Sequence, residues 1–136
     1  MKTRILIGGA ALRKLGNDRH TDDTDYLICD SSKETFIHDE KNNVDFVNAN
    51  GNKFFAEIFK IEEGNHIASA QSLFELKAYA FVQHCQNFNF KKADSCEYDM
   101  KFLVREFGIK GSKIATKYIT SGEYSEVEKV INSVKF

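Results

Sequence analysis

The chain has 136 residues, 42% of them apolar and 29% charged, with 12 phenylalanines, no proline and a formal net charge of −1. That length suits one domain and that apolar share builds a packed core, so a disordered chain is excluded. Near-balanced charge excludes an overall basic nucleic-acid footprint, though not a local patch, and no apolar run is long enough for a membrane helix.

In chain order, Arg4 to Ile7 reads as a short buried strand ending at Gly8-Gly9. The run Ile5 to Ile7 is too short for a signal peptide. Ala10 to Leu15 reads as a short helix stopped by Gly16-Asn17-Asp18. Strands are predicted at Asp25 to Cys29, Thr35 to His38 and Val44 to Val47, separated by the turns Asp30-Ser31-Ser32-Lys33 and Lys41-Asn42-Asn43. Lys53 to Ile61 fits either period, with a lean towards helix. After Gly64 the character changes. Ser69 is a plausible cap for a helix through about Gln86, and a second helix runs from about Asp94 to Phe107 and stops at Gly108. Ser112 to Ile119 and Ser125 to Val134 read as two more short helices.

The expected fold is therefore α/β or α+β: a small mixed sheet over residues 1–64, then a helical part over 65–136 packed on it as one module. Phe54, Phe55, Phe59, Phe74, Phe81, Phe102 and Phe107 are most simply core. Phe88 and Phe90 alternate with asparagines; core contacts from a loop are the first expectation, and an exposed surface for stacking bases the second. Cys29, Cys85 and Cys96 are odd in number and lack C-x-x-C spacing, which favours reduced thiols in a cytoplasmic protein over a disulfide framework or zinc site. The four histidines show no metal-ligand spacing.

The chemistry-bearing stretch runs from Ile5 to Ile28. A strand ends in Gly8-Gly9 and opens a helix, where backbone N–H groups can meet a phosphate that glycine lets approach. Asp23-Thr24-Asp25 then leads into the next strand, where residues two apart share a face. Two such carboxylates make a hard oxygen site suited to Mg²⁺. Asp45 lies between Val44 and Phe46 in an apolar strand, where an acid is costly without a partner. It is either a third ligand or an edge-strand residue facing solvent. Lys77 lies between Leu73 and Phe81 in the apolar stripe of its helix, so it either snorkels or reaches into a cleft.

These residues resemble the DNA polymerase β-like nucleotidyltransferases, whose pattern is a hydrophobic residue, Gly, Gly or Ser, a gap, Asp-x-Asp, and a later third acid. Here those positions read Ile7-Gly8-Gly9, Asp23-Thr24-Asp25 and Asp45. The run Arg19-His20-Thr21-Asp22-Asp23-Thr24-Asp25 after Gly8-Gly9-Ala10-Ala11-Leu12 is similar to small bacterial members, including the abortive-infection toxin type. Thr24 stands where an aliphatic residue is usual, and Asp22 adds a charge beside the pair. The likeness spans about residues 5–107, and its specific part is residues 7–25.

The resemblance implies transfer of an NMP from an NTP to an RNA, protein or small-molecule acceptor. Asp23, Asp25 and Asp45 would be the catalytic residues and the ligands of Mg²⁺ or Mn²⁺. Gly8, Gly9, Arg19, Thr21 and Lys77 would bind the nucleotide. A toxin–antitoxin or phage-defence setting with a protein partner would fit. The alternatives are a degenerate nucleotidyltransferase fold that only binds, and an interaction domain whose acidic pair is a coincidence.

Overall fold

The computed structural model of the protein describes residues 3–135. The chain divides into two compact units, Met1–Ser72 and Leu73–Phe136.

The first unit holds β1 (Ile5–Ile7), α1 (Gly8–Lys14), β2 (Thr24–Ile28), β3 (Phe36–Asp39), β4 (Val44–Asn48) and α2 (Lys53–Glu62). Its four strands form one mixed sheet in the order β1-β2-β4-β3. β2 runs parallel to β4, while β1 and β3 are antiparallel to their neighbours. The free side of β1 is covered: Leu6 N–H donates to the His66 carbonyl at 2.8 Å, and Ala68 N–H donates to the Leu6 carbonyl at 3.0 Å. That pairing, which removes an exposed sheet edge, is why the first unit extends past Gly64. Ile5 and Leu27 are register partners and fully buried, as are Leu12 and Ile58.

The ambiguous phenylalanine segment is helical. Asn52 caps α2 by accepting from the Phe54 and Phe55 N–H groups, and Phe54, Phe55, Ile58 and Glu62 form its buried face. Asn48, at the end of β4, is fully buried. Its side chain accepts from the N–H groups of Asp30 and Asn50 and donates to the carbonyls of Ser32 and Glu34, which locks the loops at that end of the sheet.

Glu62 is a buried carboxylate at the far end of α2. Ser69 N–H, Ser69 Oγ, Ser72 Oγ and Asn65 Nδ2 all donate to it. Burial alone pushes its carboxyl up; the hydrogen bonds from Ser72, Ser69 and Asn65 together outweigh burial and hold it below the ordinary value. A depressed carboxyl contributes stability above its unfolded pKa and loses that contribution as pH falls through the folded value. Glu62→Gln is therefore expected to be less stable than wild type near neutrality, with the gap closing in acid. Urea midpoints from pH 7 down to pH 3 measure this, and a pH-independent gap would count against it.

The helix α3 (Ala70–Gln86) begins in the first unit and continues as the first element of the second, which adds α4 (Phe90–Phe107) and α5 (Ser121–Ser133). Ser69 caps α3 as expected, accepting from Ser72 N–H at 3.3 Å. α4 starts earlier than expected because the Asn89 side chain accepts from Lys92 N–H, and it ends where Gly108 turns left-handed at φ +66°. α5 also starts earlier, at a capping box of Thr120 and Glu123.

The helix expected over Ser112 to Ile119 is only a single 3-10 turn, Ala115–Lys117. The Glu75 carboxylate takes the N–H groups of Lys113, Ile114 and Ala115, and Thr120 is already extended as the α5 cap. Phe107, expected in the core, is 43% exposed, and Phe88 (79%) and Phe90 (59%) are exposed too, which overturns the first of their two expectations. Among the described residues, no helix is long and apolar enough to cross a membrane.

Candidate functional site

Register brings two of the three acids together. Asp25 on β2 lies opposite Asp45 on the parallel β4, so their side chains share one face of the sheet with backbones roughly 5 Å apart. Ile7, which immediately precedes the glycines, is Asp25's partner on β1. Asp45 sits on an inner strand, not an edge, which corrects one of its two expected settings. Asp23 lies just before β2 and is exposed, while Asp25 and Asp45 are half-buried.

The glycine pair meets the acidic run directly. Gly8 has φ +69°, and a Cβ built there would collide with Asp25 Oδ2. A Cβ on Gly9 would lie 2.8 Å from Thr21 Cγ2. Real Cβ atoms do not approach so closely, so a side chain at Gly8 would displace the Asp25 carboxylate and one at Gly9 would displace Thr21. Gly8 admits the Asp25 carboxylate and Gly9 admits Thr21. The two halves of the sequence pattern, Gly8-Gly9 and Thr21-x-Asp23-x-Asp25, are thus a single packed feature.

The loop between them is tied back to α1. Arg13 donates to the Arg19 carbonyl at 3.4 Å, and Arg19 donates to the His20 carbonyl at 3.4 Å. His20 pairs with Asp22 at 2.8 Å on the exposed surface. Asn43, left-handed at φ 51°, donates to the Asp22 carbonyl at 3.3 Å and so links the β3–β4 turn to the acidic loop.

His38 joins this group, and residue-type reasoning missed it. The hairpin pairs His38 with Asp45, and Nδ1 lies 2.5 Å from Asp45 Oδ1. The hydrogen bond to Asp45 raises the His38 pKa above its ordinary value; slight desolvation opposes this, and the charges of Asp45, Glu40 and Asp23 reinforce it. The signal was present in the sequence, because a turn over 40–43 with Asp39 opposite Val44 puts His38 opposite Asp45. Ligand spacing alone does not contain that information.

The donor set matches a hard divalent cation in kind, since it is carboxylate oxygen beside a glycine turn. As they stand, no three His, Cys, Asp or Glu side chains among the described residues converge as a ligand group. Lys77 belongs to the second unit, where its ammonium lies 3.1 Å from the fully buried Asp99 carboxylate with 16% of its side chain exposed. Its stripe position is thus explained by a buried ion pair. No family model matches this chain, and a search of curated proteins finds no match.

Proposed function

We propose that the first unit is a metal-dependent nucleotide site of nucleotidyltransferase type, moving an NMP from an NTP to a hydroxyl or phosphate of an acceptor. The observation that carries this reading is the contact of Gly8 with Asp25, in register with Asp45. It ties the glycine turn, the acidic pair and the third acid to one end of one sheet. Carboxylates in register on neighbouring strands, beside a glycine turn, offer the oxygen donors that a hard divalent cation takes.

In this reading Asp23, Asp25 and Asp45 hold Mg²⁺ or Mn²⁺. The ion supplies charge neutralisation at the triphosphate and activation of the attacking oxygen. His38 keeps the Asp45 carboxylate turned in a set direction, the role outer partners play for ligating carboxylates. Thr21 and Arg19 border the acidic loop and are the candidates for orienting phosphate oxygens, while Gly8 and Gly9 let Asp25 and Thr21 pack close to the turn. Lys77 has no part in this site: it lies in the second unit, where it pairs with the buried Asp99 carboxylate. The acceptor is an RNA, a protein or a small molecule. A toxin–antitoxin or phage-defence role belongs to the same reading.

A second reading, nucleotide binding without transfer, is favoured by the commitment of Asp45 to His38. One titration separates both from an interaction domain. Mg²⁺ and each of the four NTPs are titrated against the protein and its Asp23→Ala/Asp25→Ala variant, with melting temperature as readout. A ligand at about 100 times its Kd adds roughly 2.7 kcal/mol of native-state stability, a rise of several degrees. The expected result is a rise that needs both Mg²⁺ and nucleotide and vanishes in the variant. No rise with any nucleotide at millimolar concentration would overturn the proposal. Turnover of labelled NTP then distinguishes transfer from binding.

A further inference from the structure

We propose that the turn between α3 and α4 is a docking platform for single-stranded nucleic acid, built from Phe88, Phe90, Lys91 and Lys92. This surface lies wholly in the second unit and does not depend on the nucleotide site.

The helix α3 ends with Asn89 N–H donating to the His84 carbonyl and Phe88 N–H donating to the Cys85 carbonyl. This paired closure puts Phe88 in the left-handed position, at φ 56°. Glycine or asparagine ordinarily fills that position, and a bulky residue is disfavoured there. Burial of the ring does not compensate, since Phe88 is 79% exposed. Asparagines stand on both sides of it, so the backbone preference could have been met by exchanging neighbours. Phe90 is 59% exposed, and its ring stands edge-on to Phe88 with centroids 6.2 Å apart.

The next two residues break a second local rule. Lys91 and Lys92 are exposed and occupy the first turn of α4, which has no acidic residue. Positive charge is disfavoured at a helix start. Asp94 follows Lys91 by three positions, where helix side chains are neighbours, and Lys92 by two, where they are not. Folding alone accounts for neither the exposed rings nor two positive charges at a helix start, and such conflicts concentrate at functional sites.

One partner satisfies both. Bases stack on exposed rings without sequence preference, and their phosphates pair with the lysines. A purely apolar protein surface would cover the rings but strip water from two exposed ammonium groups. The amides of Asn87 and Asn89 suit base edges and would be costly to bury among lipid chains.

The test is fluorescence anisotropy of a short labelled single-stranded RNA titrated with the full chain across a salt series. The variants are Phe88→Asn/Phe90→Ala and Lys91→Ala/Lys92→Ala. Asparagine tolerates the left-handed backbone, so the first variant keeps the fold, checked by a melting temperature no lower than wild type. The expected results are measurable binding by wild type and at least about tenfold weaker binding by the phenylalanine variant. The lysine variant is expected to have a log–log salt slope shallower by about 1.4, at roughly 0.7 per phosphate contact. Absence of RNA binding, or equal affinity in the phenylalanine variant, overturns the proposal. So does a phenylalanine effect confined to self-association or to binding of phosphatidylserine vesicles.

Discussion

Gly8→Ala is expected to abolish Mg²⁺-dependent nucleotide binding, whereas Gly16→Ala is expected to preserve it. Both glycines have positive φ, +69° at Gly8 and +105° at Gly16, so alanine at either carries backbone strain. That strain costs an L-residue about 1–2 kcal/mol, a loss of several degrees in melting temperature for a chain of this size. The two positions differ in what a side chain meets. Nothing lies within 4 Å of a Cβ at Gly16, but at Gly8 the Asp25 carboxylate occupies that space. Alanine at Gly8 must therefore displace the Asp25 carboxylate, or move β2 relative to α1. The measurement is the Mg²⁺ and NTP thermal shift on both variants. Equal nucleotide shifts in the two would mean that Asp25 does not act where Gly8 lets it sit, and the proposed site would have to be abandoned.

Glu75→Ala is expected to cause the largest loss of stability of any single substitution considered, about 3–5 kcal/mol. Glu75 is fully buried on α3. It accepts from Ser112 Oγ at 2.5 Å and from the N–H groups of Lys113, Ile114 and Ala115 at 2.7, 3.2 and 2.9 Å. Ile114 and Ala115 are themselves buried, so water reaches their amides poorly once the carboxylate is gone. Each stranded donor costs about 1–3 kcal/mol, against a total stability of roughly 5–15 kcal/mol for a domain. Glu75→Gln keeps one acceptor oxygen and is expected to lose about half as much. Urea denaturation measures the global effect. Trypsin sensitivity at Lys110, Lys113 and Lys117, all exposed on this segment, reports its local opening. A Glu75→Ala stability within about 1 kcal/mol of wild type would show that the segment is held by its apolar contacts instead.

The same carboxylate explains where sequence reading stopped. Ser112 to Ile119 has helical residues, but its first amides belong to a side chain far back in the sequence. His38 shows the opposite case. Its partnership with Asp45 was readable from hairpin register, yet not from the spacing of ligand-type residues. Phe88 misleads for a third reason. An apolar ring in a loop usually finds the core, and here the αL closure of α3 turns it outward. Lys77 was marked by its place in an apolar stripe, and its ammonium meets the buried Asp99 carboxylate. Only coordinates identify which lysine Asp99 takes.

The sequence by itself determined the mixed α/β first half, the helical second half, and most element positions to within a few residues. It also singled out Gly8-Gly9 with Asp23-Thr24-Asp25. These are local properties: periodicity, capping residues, and glycines where φ turns positive. Tertiary structure alone decided that β2 and β4 are parallel neighbours with Asp25 opposite Asp45, and that Asp25 fills the space above Gly8. It also decided that Glu62 and Glu75 spend their carboxylates on serine hydroxyls and backbone amides. Strand order and burial depend on pairing between distant segments, and the same residue types at the same spacing are compatible with several such pairings.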